Sequence, residues 1–324
     1  AVSFTGSQSG IITDTHHGRA RIIQILGDRL RSVLTERKVA IVAGFQGVSR
    51  TKEITTLGRG GSDTTAVALA AEFGAERCEI FTDVDGVFSA DPTAVPMARL
   101  YPQISVELMH ELALRGAGVL HHRCVQLAQD RQVRLWVRNS LNQSIGTEVT
   151  TTIMTTKHIQ NLESTRVIGV TADENSAQVR IEFASLASLN VVWHKIAESG
   201  LAFVLTEMPA PQDAVPSKSA IISLFVGRDA LREWQILLET LQKGGSLNHF
   251  HVEPNLLPVS VVGLGIGMDA ETIARAGEAL VQAKISARMV AAGVNVLTFA
   301  VQRTEASKAV LKLHQELVEQ TVHR

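Results

Sequence analysis

The sequence predicts an α/β protein in two parts. Residues 1–150 form an open, mainly parallel sheet with helices on both faces, and two smaller α+β modules follow. Three observations carry this. Apolar strand-like runs alternate with helix-period stretches from residue 20 to 150. A Thr-rich stretch from Gly146 to Ser164 then interrupts the rhythm. Beyond it, one order of strands and helices occurs twice.

In order, Ile22–Leu34 is expected to be a helix, and Val39-Ala40-Ile41-Val42-Ala43 a buried strand ending at Gly44. A glycine loop comes next. The helix after it places Ala66, Leu69, Ala70 and Phe73 on one face. Cys78–Thr82 is a strand ending in the turn Asp83-Val84-Asp85-Gly86, Val106–Leu114 a helix, and Val133–Val137 a strand. Residues 151–165 read as a linker. The first repeat has strand Val179–Phe183, helix Leu189–Ser199, strands Ala202–Glu207 and Ala220–Val226, and a helix with Leu231, Trp234, Leu238 and Leu241 on one stripe. The second has strand Val259–Val262, helix Ala270–Lys284, strands Ala287–Val290 and Val294–Val301, and a helix striped by Val310, Leu313 and Leu317. Paired ferredoxin-like modules over 166–250 and 251–324 are expected.

The 324 residues, 45% of them hydrophobic, suffice for this many domains. With 31 Lys+Arg against 32 Asp+Glu there is no basic field for nucleic acid. No apolar run approaches the roughly 20 residues that span a bilayer. Cys78 and Cys124 sit in apolar segments and read as buried thiols, which fits a reducing compartment; a soluble cytoplasmic protein without membrane contact is expected. The histidine pairs lack partners at metal-ligand spacing, so no metal held by the protein alone is expected. Gly263-Leu264-Gly265-Ile266-Gly267 departs from dinucleotide-loop spacing and reads as a strand-to-helix turn.

The richest local signal is Thr55-Thr56-Leu57-Gly58-Arg59-Gly60-Gly61-Ser62-Asp63-Thr64-Thr65-Ala66. Glycines let backbone N–H groups approach an anion, a helix start adds unsatisfied donors, and Arg59 supplies a planar fork for a carboxylate or phosphate. Ser62 and Asp63 can equally be a helix cap. Asp83 and Asp85, at a strand end, suit a nucleotide or its Mg²⁺ as readily as a plain Asp-x-Asp-Gly turn.

Gly44-Phe45-Gln46-Gly47, Thr56–Asp63, Phe81–Val87, the opening Thr5–Asp14 and Glu111-Leu112-Ala113 closely resemble aspartate kinases, members of the amino-acid kinase superfamily whose chains continue into two regulatory ACT modules. The resemblance covers essentially the whole chain and implies ATP- and Mg²⁺-dependent phosphorylation of the L-aspartate β-carboxylate to 4-phospho-L-aspartate, which opens lysine, threonine and methionine biosynthesis. It implies substrate contacts from Phe45, Arg59, Gly60, Gly61 and Ser62, and a catalytic role for Asp63. Nucleotide contacts fall to Thr82, Asp83, Phe88, Ser89, Ala90, Asp91, Pro92 and Thr93, and homodimers or larger oligomers form through the ACT modules.

Departures from the family pattern temper these expectations. The family's opening Lys-Phe-Gly-Gly-Thr-Ser strand and its Gly-Glu element have no counterpart, so the kinase domain is expected to lack its N-terminal part and leave apolar faces uncovered. Where the family reads Gly-Ala-Lys-Val-Leu-His-Pro, this chain has Gly116-Ala117-Gly118-Val119-Leu120-His121-His122, so Gly118 replaces a phosphate-facing lysine. Thr93 stands where an arginine is usual. The effector-loop positions, Ala184–Ser188, Glu207-Met208-Pro209 and Ala291–Val294, offer few polar groups, and weak or absent feedback binding of lysine or threonine is expected. A degenerate paralogue serving as a regulatory or assembly subunit is the alternative reading.

Overall fold

Strand Cys78–Thr82 runs parallel to Leu135–Asn139, which pairs antiparallel with Thr147–Thr150, itself parallel to Gln103–Ser105. The computed structural model describes residues 1–150, 166–183, 186–207 and 220–320. These divide into two compact units: Ala1–Phe88 with the described residues from Arg99 to 150, and Ser89–Ala98 with the described residues from 166 onward. The expected linker, 151–165, lies outside the described residues, as do Ala184, Ser185, Met208 and Pro209.

A second sheet of the first unit orders Ile22–Ile25, Ile11–Thr13, Gln46–Ser49 and Ile54–Thr56, and Val2–Phe4 pairs in parallel with Ala40–Val42. The α/β class holds, and antiparallel pairings join the parallel ones in both four-stranded sheets of this unit. Short connections are the reason: Gln46–Ser49 and Ile54–Thr56 are joined by only a few residues and can pair only antiparallel. Ile22–Ile25 is strand, not helix. Its β-branched side chains suit the pairing with Ile11–Thr13, and Gly27, at φ 70°, breaks the chain before helix Asp28–Thr35 begins. Ala40–Val42 is a strand but not a buried one; Val39 and Ile41 are 65% and 53% exposed. Helix Val106–Leu114 starts at Ser105, whose hydroxyl accepts from the Leu108 amide. Helices Gly61–Glu72 and His122–Asp130 complete this unit.

Two antiparallel four-stranded sheets make up the second unit. One orders Phe203–Glu207, Ala220–Gly227, Ser176–Phe183 and His249–Glu253. Alternate residues Val179, Ile181 and Phe183 meet Trp234, Leu238 and Leu241 of helix Leu231–Lys243 in its core. The other orders Arg166–Ala172, Leu256–Leu264, Val296–Gln302 and Ala287–Gly293, with helices Ala270–Gln282 and Ala306–His314. The modules are therefore interleaved, and the expected division at 250/251 is revised. Arg166–Ala172 supplies the second sheet's edge, whereas His249–Glu253 closes the first. Each repeat reads as three strands in sequence; the first sheet's fourth strand follows its repeat directly, whereas the second sheet's comes from chain ahead of the first repeat. Gly267 packs so tightly that an added Cβ would lie 1.8 Å from the Gly293 carbonyl oxygen, which explains that glycine without a cofactor.

Ser89–Ala98 also departs from expectation, since it builds into the second unit. Ala90 and Val95 join the core formed with Val170, Val261 and Leu313. The Val170 amide donates to the Ser89 carbonyl at 2.8 Å. The Ser89 hydroxyl lies 2.8 Å from Nε2 of His314, whose Nδ1 lies 3.0 Å from Glu319 Oε1. His314 is fully buried, and a π-helical turn, Gln315–Glu319, brings Glu319 back to it.

Candidate active site

Strand Ile54–Thr56 delivers the chain into Leu57–Gly60, and helix Gly61–Glu72 leaves it. Gly58 and Gly60 have φ of 74° and 68°, left-handed values that glycine adopts without a Cβ penalty, and exposed Arg59 stands between them. The helix's N-cap is Gly60, and no side chain caps it. Neither Ser62 nor Asp63 does so. Thr64 and Thr65 instead turn their hydroxyls back to the Gly60 and Gly61 carbonyls. The Gly61 amide donates to the Gly58 carbonyl at 2.9 Å, so the first turn presents the Ser62 amide and the positive end of the helix dipole beside a guanidinium.

Packing fixes the loop from several sides. An added Cβ at Gly58 would lie 2.8 Å from the Gly18 carbonyl oxygen, and one at Gly60 2.2 Å from Cβ of His121. At Gly61 it would reach Leu57 and Phe45 at 2.9 Å. Phe45 has φ 71°, a strained value for a non-glycine residue. Its amide donates to the Thr65 hydroxyl at 3.2 Å, and its carbonyl accepts from the Leu57 amide at 2.9 Å. Its half-exposed ring thus stands beside the glycine loop.

Helix His122–Asp130 starts against the same loop. His121 is its N-cap, with Nδ1 accepting from the Arg123 amide at 3.3 Å. Burial, assisted by His122, Arg123 and Arg59, pulls the His121 imidazole down to about 4, so the ring is neutral at physiological pH. The Arg123 guanidinium donates to the Leu57 and Ala20 carbonyls at 2.7 and 3.1 Å. Asp63 is half-buried. Desolvation raises its pKa, opposed by the His121 backbone amide and its own. It also faces the buried thiols Cys78 and Cys124, which burial pushes up to about 11 and 12.

At the end of Cys78–Thr82, the Thr82 hydroxyl donates to Asp83 Oδ1 at 3.0 Å and the Asp83 carboxylate is exposed. Asp85 is committed elsewhere. Asn142 and Asn139 donate to its Oδ1 at 2.7 and 2.6 Å and hold its carboxyl below the ordinary range. Among the described residues, no cluster of three His, Cys, Asp or Glu side chains is arranged to hold a metal. Of the expected nucleotide segment, Phe88 bridges to Leu100 in the first unit. Ser89 and Ala90 are 1% and 6% exposed, so the second unit's core has taken their side chains. Asp91 spends Oδ1 on the Thr93 amide and hydroxyl, at 2.8 and 2.7 Å, closing the turn around Pro92. Gly118 is exposed with φ 61°, and an added Cβ would meet only the Gly116 carbonyl oxygen at 3.9 Å.

The structure thus brings Phe45, Arg59, Gly60, Gly61 and Ser62 together with His121, marked in the sequence only as part of the Gly116–His122 run, and with Arg123, which no sequence pattern singled out.

Residues 1–139 match the amino acid kinase family. The aspartokinase of Geobacillus stearothermophilus is 38% identical over 317 residues, 97% of this chain and 74% of that protein. The aspartokinase of Mycobacterium tuberculosis is 37% identical over 322 residues, with the same shares. In fold, the chain resembles E. coli aspartokinase III solved with aspartate and ADP, with a TM-score of 0.80 at 24% identity, covering 98% of this chain and 69% of that one.

Proposed function

The chain belongs to the aspartokinase family, and on that premise we propose that its glycine–arginine loop receives L-aspartate for phosphorylation by ATP. One observation carries the reading. Exposed Arg59 is flanked by two left-handed glycines at the uncapped start of a 12-residue helix. Arg59 grips a carboxylate of aspartate through its fork, the Ser62 amide adds a donor, and Phe45, Gly60 and Gly61 wall the pocket.

The attacking β-carboxylate needs no general base, because an ordinary carboxyl group, with a pKa of about 4, is ionised at neutral pH. Rate then rests on alignment and on positive charge where two anions meet. Asp63, half-buried beside the start of helix His122–Asp130, acts through its charge in this reading. Thr82 and Asp83 contact the nucleotide in this proposal. The exposed Asp83 carboxylate suits a nucleotide-borne Mg²⁺, which takes one or two carboxylates along with phosphate oxygens. Magnesium there offsets charge on the transferring phosphoryl group.

The ACT modules give a homodimer or larger oligomer in this reading, through their sheet edges. No helix among the described residues is long and apolar enough to cross a membrane, and with two buried thiols a cytoplasmic setting is proposed. No comparison supports the degenerate-paralogue reading. A coupled ADP-release assay tests the proposal: aspartate-dependent turnover is expected, and ADP release indifferent to aspartate rejects it.

A further inference from the structure

We infer that Arg123 is a positioning residue for substrate binding, which holds Arg59 in its gripping geometry without touching aspartate; this rests on the reading of Arg59 given above. The tripeptide Gly58-Arg59-Gly60 has a flexible residue on each side of its charge, and left free it would let the guanidinium wander. Arg123 removes that freedom at the entry. Its fork spans the Leu57 carbonyl, immediately before Gly58, and the Ala20 carbonyl, at 2.7 and 3.1 Å. Ala20 in turn donates its amide to the Thr56 carbonyl at 2.9 Å, so the Arg123 side chain and this backbone bond together join the strand end, the loop entry and Ala20. At the loop's exit the neighbouring His121 fills the space beside Gly60, where an added Cβ would lie 2.2 Å from the His121 Cβ. Both ends of the tripeptide are therefore set by the start of helix His122–Asp130.

The planar fork is what lets one side chain reach two carbonyls, and a lysine ammonium offers no such paired geometry. Arg123→Lys is thus an informative conservative change. Because Arg123 acts through Arg59, its effect must vanish once Arg59 is gone.

The test is calorimetric binding of L-aspartate and, separately, of ADP to the full chain, with thermal melting alongside. The variants are Arg123→Lys, Arg123→Gln, Arg59→Ala and the double variant Arg59→Ala/Arg123→Gln. Arg123→Gln is expected to weaken aspartate by about tenfold or more and Arg123→Lys by about threefold to tenfold, with ADP binding within about twofold of the parent. The double variant should match Arg59→Ala alone. Unchanged aspartate affinity in both Arg123 variants overturns the inference. So does equal weakening of aspartate and ADP, or a double variant in which the two losses add. Should Arg123→Gln fail to fold, Arg123→Lys decides by the same ratio of aspartate to ADP affinity. If Arg59→Ala itself binds aspartate normally, the site assignment falls instead, and the two failures are told apart.

Discussion

Gly60→Ala puts the substrate loop's tightest contact under direct test. The new Cβ would lie 2.2 Å from Cβ and 2.3 Å from Cγ of His121, where carbon atoms rest at about 3.5–4.0 Å. No rotation of the imidazole relieves this, because the His121 Cβ is fixed by its own backbone. The start of helix His122–Asp130 or the glycine loop must therefore move by more than 1 Å, roughly the difference between those separations. The left-handed φ of 68° adds about 1–2 kcal/mol for any residue with a Cβ, and overpacking adds about 1–3 kcal/mol more. The expected cost is about 2–5 kcal/mol, divided between folding stability and aspartate affinity. Urea unfolding measures the first and calorimetric titration with L-aspartate the second. His121→Gly in the same chain removes the opposing Cβ and should restore part of the loss. A single variant costing under about 0.5 kcal/mol in both assays, within the range of ordinary surface changes, would refute the geometry. So would a double variant no better than the sum of its parts.

Gly118→Lys should raise the turnover number by roughly tenfold to a thousandfold, since a cation beside a transferring phosphoryl group is worth about 2–4 kcal/mol and the site has room at a strain of about 1 kcal/mol; steady-state ADP release reads this, and an unchanged rate in a folded variant counts against it. Keeping His121 neutral down to about 4, against an ordinary 6.5, means the unfolded chain binds the extra proton in that window. Stability is therefore full above about pH 6.5 and falls as pH drops towards 4, by roughly 1–2 kcal/mol once solvent screening at a half-buried ring is allowed for. His122, also lowered, adds with the same sign and the raised Asp63 with the opposite one. Urea midpoints at pH 7 and pH 5 should accordingly converge in His121→Asn, and parallel loss in parent and variant rules this out. His314→Leu should cost about 1–3 kcal/mol by removing the buried imidazole that bonds both the Ser89 hydroxyl and Glu319, whereas Ser89→Ala should cost less; thermal melts that leave both unshifted contradict the packing of Ser89–Ala98 into the second unit.

Legibility in the sequence followed the range of the interaction. Helix Val106–Leu114 could be read to its ends because Ser105 caps it and its periodicity is local. The stripe Leu231, Trp234, Leu238 and Leu241 declared its buried face, since helical period and core burial coincide there. Ile22–Ile25 misled, because a β-branched run beside a helix gives no local sign of where the period changes. The origin of each module's fourth strand, and the capture of Ala90 and Val95 by a core built around Val170 and Leu313, depend on contacts with no sequence spacing to announce them. At the site, Arg59 and its glycines were visible as a composition. Arg123 was not, because its carbonyl partners lie 66 and 103 residues away and a carbonyl has no residue type.

The most direct measurement is the Michaelis constant for L-aspartate in ADP release by the parent chain and by Arg59→Lys, an exchange that keeps the charge and removes the fork. The account predicts aspartate-dependent release by the parent and a rise of about tenfold or more in the aspartate constant of the variant, with the ATP constant unmoved. An aspartate constant that stays the same when the fork is removed would contradict the claim that this glycine–arginine loop holds the substrate.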